Sequence, residues 1–104
     1  MKIRNAIALG AMVAATLTTF AAEPGADTYK AKCQMCHGAT GLADSGAGKT
    51  MKVKPITDPT VTKLTEAEMI AATKNGMGKM QPFKDKLTEA QVKDAVAYFR
   101  TFMK

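Results

Sequence analysis

Apolar residues recur at helical spacing in three segments of the chain. The first segment runs from about Asp27 to Cys36 and follows the dipeptide Pro24-Gly25. Residues spaced by three and four positions share one face of a helix. Here that face is formed by Ala26, Tyr29, Cys33 and Cys36. The pattern predicts a short helix with both cysteines on its sheltered side.

The other two helices are predicted from capping boxes, in which a threonine and a residue three positions later bond each other's backbone amides. Thr65 and Glu68 form the first box, and that helix ends at the dipeptide Asn75-Gly76. Thr88 and Gln91 form the second box. The last helix carries an apolar stripe formed by Val92, Ala95, Val96, Phe99 and Phe102. We expect this helix to be the best-defined element of the fold.

No segment shows the alternation of a β-strand, so we predict an all-α fold. The stretches 38–64 and 77–87 are rich in glycine, threonine and lysine and are predicted to be irregular. Long loops in a small domain are usually functional, for example wrapped around a ligand, or disordered. Three helices in so short a chain make a thin core. We therefore expect the loops to wrap around a bound group.

Residues 1–21 resemble an export signal. Two positive charges come first, residues 6–20 are small or apolar with threonines, and Thr19-Phe20-Ala21 offers small residues to a signal peptidase. An uncleaved anchor is the alternative, but the stretch is shorter than the roughly 20 residues of a membrane span. We expect cleavage after Ala21, a domain over residues 22–104 and a periplasmic location, where covalent cofactor attachment is possible.

The net charge is +6, from 15 basic and 9 acidic residues. It falls to +4 when Lys2 and Arg4 leave with the signal. The lysines are spread along the chain rather than gathered in a basic block of the kind that binds nucleic acid. We therefore expect acidic protein surfaces, and no nucleic acid, as partners. Nothing in the sequence indicates a large interface between copies of the chain, so we expect a monomer.

The two cysteines and the single histidine of the chain lie within Cys33-Gln34-Met35-Cys36-His37. Cysteines three positions apart on a helix present both sulfurs to one edge of a porphyrin, and the following histidine reaches the iron. C-x-x-C-H is the attachment signature of haem c. A thioredoxin-like pair would need a βαβ context, a structural zinc site would need a fourth ligand, and a disulfide across so short a loop would stabilise little.

A haem with both axial positions filled needs a second ligand, and without another histidine the candidates are methionines. Met77 and Met80 lie in a glycine-containing loop that could cross the far face of the ring, so one of them is the expected ligand. Met51, in the long loop, stays open as a candidate. Met69 and Met103 lie on predicted helices, where methionine usually packs in the core.

The motifs together resemble class I cytochrome c over nearly the whole of residues 22–104. The resemblance rests on G-x-x-x-Y before C-x-x-C-H-G, a threonine-led middle helix ending in Asn-Gly, a methionine loop, and Ala-Tyr-Phe near the end of the last helix. It implies one covalently bound haem c with Met80 as the second ligand. Gln81 departs from the family pattern, which has proline directly after the ligand, and this departure leaves Met77 as the minor candidate.

The resemblance also implies structural roles. Gly25 and Tyr29 would pack the first helix against Ala95 and Tyr98 of the last. A backbone carbonyl at or next to Pro55 would accept the Nδ1 proton of the histidine ligand; the nearby residues Ile56 and Pro59 are the alternatives.

Two protein ligands leave no open iron position, so we expect an electron carrier rather than an enzyme, serving membrane or periplasmic redox partners. Five lysines near the motif or in the loops are expected to steer the carrier to those partners: Lys32, Lys49, Lys52, Lys79 and Lys84. Two alternatives stay open. A labile methionine would give a haem peroxidase or ligand-binding protein, and a permanent complex would make the chain a cytochrome subunit of a larger oxidoreductase.

Overall fold

A computed structural model describes residues 23–103. The predicted signal peptide of residues 1–21 lies outside this range. In the described part, no helix has the length and apolar character needed to span a membrane. Residues 23–103 contain helices, turns and one isolated β-bridge but no β-strand, which confirms the prediction of an all-α fold.

Seven helical elements follow one another along the described chain. In order they are α1 (Ala26–Thr28), a π-helical segment (Tyr29–Cys33), α2 (Gln34–His37), α3 (Gly46–Thr50), α4 (Pro59–Thr62), α5 (Glu66–Asn75) and α6 (Glu89–Arg100).

The first three elements form one continuous helical segment over residues 26–37, which confirms the first predicted helix. Its middle turn is wider than an α-helical turn, because the Gln34 amide donates to the carbonyl of Tyr29, five residues earlier. Both cysteines are partly buried, whereas the Met35 side chain between them is 73% exposed. Single π turns within α-helices occur frequently at functional sites.

Helices α5 and α6 begin at their predicted capping boxes. The Thr65 hydroxyl accepts from the Glu68 amide at 3.0 Å, and the Glu68 carboxylate accepts from the Thr65 amide at 2.8 Å. Thr88 and Gln91 repeat both bonds at 3.1 and 2.8 Å. These bonds satisfy backbone donors that the first turn of a helix leaves free. Helix α6 ends slightly earlier than its apolar stripe, and residues 101–102 form a turn.

The stretch 38–64 contains two short helices, so the prediction that it is irregular throughout is wrong. Helix α3 is capped by the Ser45 hydroxyl, which accepts from the Gly48 amide at 3.0 Å. Helix α4 is capped by the Asp58 carboxylate, which accepts from the Thr60 amide at 2.8 Å, and has Pro59 in its first turn. The remainder of the stretch is bends and turns, as predicted.

The apolar core lies between α5 and α6, which pack against each other. Its centre consists of Ile56, Met69, Val92 and Val96. A single salt bridge within residues 23–103 joins the same two helices, from Lys74 Nζ to Glu89 Oε2 at 2.8 Å. The hydrogen bond from Lys74 lowers the pKa of the Glu89 carboxyl.

Helix α6 also packs against the first helical segment, which confirms the predicted contact between them. Gly25, with a φ of +89°, lies so close to α6 that a Cβ there would overlap the Asp94 carbonyl oxygen and approach the Ala95 amide nitrogen to 2.9 Å. The Tyr29 and Tyr98 rings lie 5.4 Å apart. Only glycine permits this close crossing of the two helices.

Candidate functional site

The three residues of the C-x-x-C-H motif lie together at the end of the first helical segment. Cys33 closes the π-helical turn, and Cys36 and His37 are the last residues of α2. Both thiols are free. Burial, and to a smaller extent the nearby Cys36, raise the pKa of the Cys33 thiol to about 11. The two cysteines lie three positions apart in the helical segment, and both side chains are partly buried.

The His37 imidazole packs edge-on against the Phe99 ring of α6, with 5.1 Å between ring centroids. Burial lowers the pKa of His37. The neutral imidazole favoured by burial is the form that ligates metals. Its Nδ1 atom is buried and has no hydrogen-bond partner among the described residues.

The backbone just after the motif is held by two buried hydrogen bonds. The Tyr29 hydroxyl donates to the Gly38 carbonyl at 2.6 Å, and the Ala43 amide donates to the His37 carbonyl at 2.8 Å. Glycine is required at position 48, because a Cβ there would overlap the Cys36 carbonyl oxygen. Helix α3 thus lies directly against the end of the motif and fixes its backbone.

The predicted backbone partner of His37 is not found. The Pro55 carbonyl accepts from the Asp58 amide at 2.9 Å, and Nδ1 of His37 donates to no carbonyl among the described residues, those of Pro55, Ile56 and Pro59 included. The prediction for Pro55 is therefore wrong in this structure.

Met80 lies in a separate segment, a tight turn that follows α5. The Met77 amide donates to the Met80 carbonyl at 3.0 Å, and the Met80 amide donates back to the Met77 carbonyl at 2.9 Å. Gly76 ends α5 with a φ of +84°, and a Cβ there would approach the Met80 carbonyl oxygen to 2.9 Å. Met80 is half-buried, whereas the Met77 side chain is 61% exposed.

The chain after Met80 is fastened to the end of α5. The buried Phe83 donates its amide to the Thr73 carbonyl at 2.9 Å. Gln81, the residue that departs from the family pattern, accepts a hydrogen bond from Lys86 Nζ through its side-chain amide. The Lys86 ammonium also lies 5.8 Å from the centroid of the Phe83 ring. A side-chain bond therefore supports the backbone at the position where the family has a rigid proline.

Helix α6 links the two segments, since Phe99 contacts His37 and the same helix packs against α5, which carries the Met80 turn. The structure brings Cys33, Cys36 and His37 together and presents Met80 from another part of the chain. Among residues 23–103, no cluster of three or more His, Cys, Asp or Glu side chains is arranged to hold a metal ion.

Sequence reasoning did not assign site roles to Phe99, Gly48 or the hydroxyl of Tyr29. Phe99 was visible only as one position of the apolar stripe on α6, and Gly48 only as a glycine in a loop. Their roles depend on which elements pack together, which a single sequence does not encode locally. Tyr29 was predicted to pack against the last helix, but no feature of the sequence indicated the hydrogen bond from its hydroxyl to the Gly38 carbonyl.

Comparisons with known proteins agree with this geometry. Residues 20–99 match the family model described as "Cytochrome C oxidase, cbb3-type, subunit III". The chain belongs to this family of c-type cytochrome domains. Two similar solved structures are "KustC0563 c-type cytochrome" and a point mutant of Kustc0563. The first is 30% identical, with a TM-score of 0.69, and covers 77% of this chain and 98% of its own. The mutant is 28% identical, with a TM-score of 0.67, and covers 76% and 98%. No curated protein matches the chain significantly.

The family assignment establishes an all-α cytochrome c fold and haem-based electron transfer as the general function. The residues present fit a c-type haem on chemical grounds. Two free, partly buried thiols on consecutive turns suit two thioether bonds, and the imidazole beside them is held neutral by burial.

Proposed function

We propose that the domain of residues 22–104 holds one haem c, which Cys33 and Cys36 would bind through thioethers and whose iron His37 and Met80 would ligate. The observation that carries the proposal is the meeting of two free thiols and a neutral imidazole at the end of α2, in a chain of this family. The bound haem would supply an iron that gains and loses one electron.

Each residue contributes a distinct physical property to such a site. Cys33 and Cys36 fix the group to one helical face, and Phe99 sets the plane of the His37 ring from α6. Met80 is favoured over Met77 because it is half-buried, whereas Met77 is 61% exposed. A thioether ligand raises the reduction potential relative to a second imidazole.

This arrangement suits an electron carrier rather than an enzyme. Two protein ligands leave no position at the iron for a substrate. The backbone around His37 is held by the bonds from Tyr29 and Ala43, so a change of charge at the site requires little movement. Electron transfer is fast when the surroundings do not reorganise.

We further propose that the chain is exported to the periplasm, with cleavage after Ala21, and works as a monomer with acidic redox proteins. Among the described lysines, the five that we expect to steer it are exposed. The family description names an oxidase subunit, which supports a respiratory complex as a redox partner. N-terminal sequencing of the exported protein should begin at Ala22; an intact residue 1 would favour the uncleaved anchor.

The same family description favours one alternative, a permanent subunit of a larger oxidoreductase. Separation of native cells into periplasm and membrane, followed by purification from each at moderate salt, distinguishes the two. A carrier elutes alone, whereas a subunit remains with the other chains of its complex.

The central experiment is an absorption spectrum of the exported protein when oxidised, reduced, and reduced under carbon monoxide. The proposal predicts sharp low-spin bands that the gas does not change. Bands shifted by carbon monoxide would indicate an open iron position and favour a ligand-binding protein or peroxidase. A spectrum without haem bands would refute haem attachment at Cys33 and Cys36.

A further inference from the structure

Met77 and Met80 face each other directly across a four-residue turn. Each donates its amide to the carbonyl of the other, at 3.0 and 2.9 Å. Residues that exchange both bonds in this way are directly opposed, with their side chains on the same face and their Cβ atoms about 5 Å apart. Gly78, with a φ of +58°, occupies the first central position, where a two-residue turn of this kind needs glycine. The turn thus presents two thioethers side by side.

The two methionines differ in how firmly they are packed. Met80 is half-buried, whereas Met77 is 61% exposed and lies at the rim of a shallow apolar depression beside Ala71 and Ala72 of α5. Methionine has three rotatable bonds and adapts readily to new surroundings. The Met77 side chain therefore has few core contacts to lose if it moves.

The other described methionines are less suited to replace Met80. Met69 is buried in the core, and Met103 packs against that core. Met35 is exposed but belongs to the helical segment of the C-x-x-C-H motif, and Met51 follows α3. Only Met77 shares both the turn and the face of Met80.

The turn also has room to shift. A Cβ at Gly78 would meet no atom within 4 Å, so the tip of the turn is open. Both ends of the turn are held to the end of α5, because the Gly76 amide donates to the Ala72 carbonyl and the Phe83 amide to the Thr73 carbonyl. Because the two residues are paired across the turn, rotations within the flexible Met77 side chain would carry its sulfur toward the place of Met80 without moving the backbone.

We infer that Met77 is a reserve axial ligand, whose thioether occupies the place of Met80 when Met80 is lost. This inference rests on the proposed function, since it requires Met80 to be the resident ligand. It gives the site a second soft sulfur ligand and so a way to remain an electron carrier.

The test uses haem-loaded protein with four sets of substitutions: Met80→Ala, Met77→Ala, both together, and Met35→Ala combined with Met80→Ala. Carbon monoxide affinity is measured in the reduced state. In parallel, protein labelled with ¹³C at the methionine methyl groups is observed by NMR, because a methyl held over a porphyrin ring is shifted strongly upfield. The Met35 combination is the matched control, since it removes another exposed thioether.

We expect Met80→Ala to bind carbon monoxide at least about tenfold more weakly than the double variant, a difference of about 1.4 kcal/mol in binding free energy. Met80→Ala should retain one upfield methyl signal, which disappears when Met77 is also replaced and persists in the Met35 control. Met77→Ala alone should keep the upfield methyl signal of Met80.

Two results would overturn the inference. One is equal carbon monoxide affinity of Met80→Ala and the double variant. The other is a Met80→Ala protein that is low-spin but has no upfield methyl signal. If that protein binds carbon monoxide only when Lys79 is also replaced, the ligand is the Lys79 amine. If Met80→Ala does not hold haem, Met80→Leu keeps the side-chain volume and allows the same comparisons. Carbon monoxide binding by the unaltered protein would instead refute the proposed function.

Discussion

The edge of the Phe99 ring meets the His37 imidazole with 5.1 Å between their centroids, so the last helix of the chain orients a residue near its beginning. Phe99 also stacks on Tyr29 at 5.9 Å. One side chain therefore joins the aromatic cluster to the histidine.

Replacing Phe99 by Ala should lower the free energy of unfolding of the haem-loaded protein by roughly 3 kcal/mol, since it leaves a cavity beside His37 and Tyr29. Phe99→Leu should cost less, because it keeps most of the apolar volume. Guanidinium unfolding followed by helical circular dichroism measures both. Equal costs for the two variants would contradict packing as the cause.

Tyr29→Phe should cost about 1–3 kcal/mol, because it leaves the buried Gly38 carbonyl without its donor. Tyr98→Phe is the control, since the Tyr98 ring packs in the same aromatic cluster and no hydrogen bond joins its hydroxyl to another residue in 23–103. Thermal unfolding at neutral pH should separate the two variants clearly. Similar melting temperatures would show that the Tyr29 hydroxyl is dispensable.

The same tyrosine predicts a pH dependence. Burial raises the pKa of Tyr29 above its ordinary value, so the folded protein keeps this proton to a higher pH than the unfolded chain does. The stability advantage of the unaltered protein over Tyr29→Phe should therefore be complete below about pH 10 and shrink above it. Urea unfolding of both proteins across this range measures the difference. A constant difference would mean that Tyr29 does not titrate differently on unfolding.

Gly76→Ala should destabilise the Met80 turn by roughly 1–3 kcal/mol, since the backbone there is accessible almost only to glycine. The new Cβ would also crowd the Met80 carbonyl oxygen. We expect imidazole added to the oxidised protein to displace the methionine ligand more readily. Gly46→Ala is the matched control, because a Cβ there meets nothing within 4 Å. Comparable imidazole affinities in the two variants would contradict this role of Gly76.

The exposed lysines should make electron transfer depend on salt. The rate of oxidation by the hexacyanoferrate(III) anion should fall as ionic strength rises, whereas a cationic cobalt complex should show the opposite trend. Replacing Lys79 and Lys84 by Gln should weaken both trends. Lys63→Gln is the comparison, and it should have a smaller effect because we expect electrons to pass through the surface near the Met80 turn. Rates that are independent of salt would rule out electrostatic steering.

Local signals in the sequence predicted the elements that depend on local physics. The capping boxes at Thr65 and Thr88 correctly marked the starts of α5 and α6. Helix α4 carried a comparable signal in Asp58-Pro59, a capping residue followed by proline in the first turn. The prediction of one continuous loop over residues 38–64 did not use this signal. The π turn in the first helical segment was not predicted. The single extra residue of that turn leaves the apolar residues of the segment three or four positions apart, as in an ordinary α-helix.

The sequence predicted which residues form the site, but not the contacts that hold them in place. The order of Cys33, Cys36 and His37 is a contiguous pattern, whereas the contact with Phe99 joins residues far apart in the chain. The error at Pro55 has the same origin. Which carbonyl lies within reach of His37 depends on the path of the loop between α3 and α4, and a family pattern does not specify that path.

The close approach of Gly48 to the Cys36 carbonyl has a consequence for the order of folding. This contact and the hydrogen bond from the Ala43 amide to the His37 carbonyl hold the C-x-x-C-H motif against the loop that follows it. Both join residues that are near one another in the sequence. Such contacts cost little chain entropy and form quickly. We therefore expect residues 33–53 to become ordered before α6 docks, and pulsed hydrogen exchange should protect the Ala43 and Val53 amides first. A newly exported chain would then display its two thiols in a formed segment while the rest of the domain is still open to receive the group that completes it.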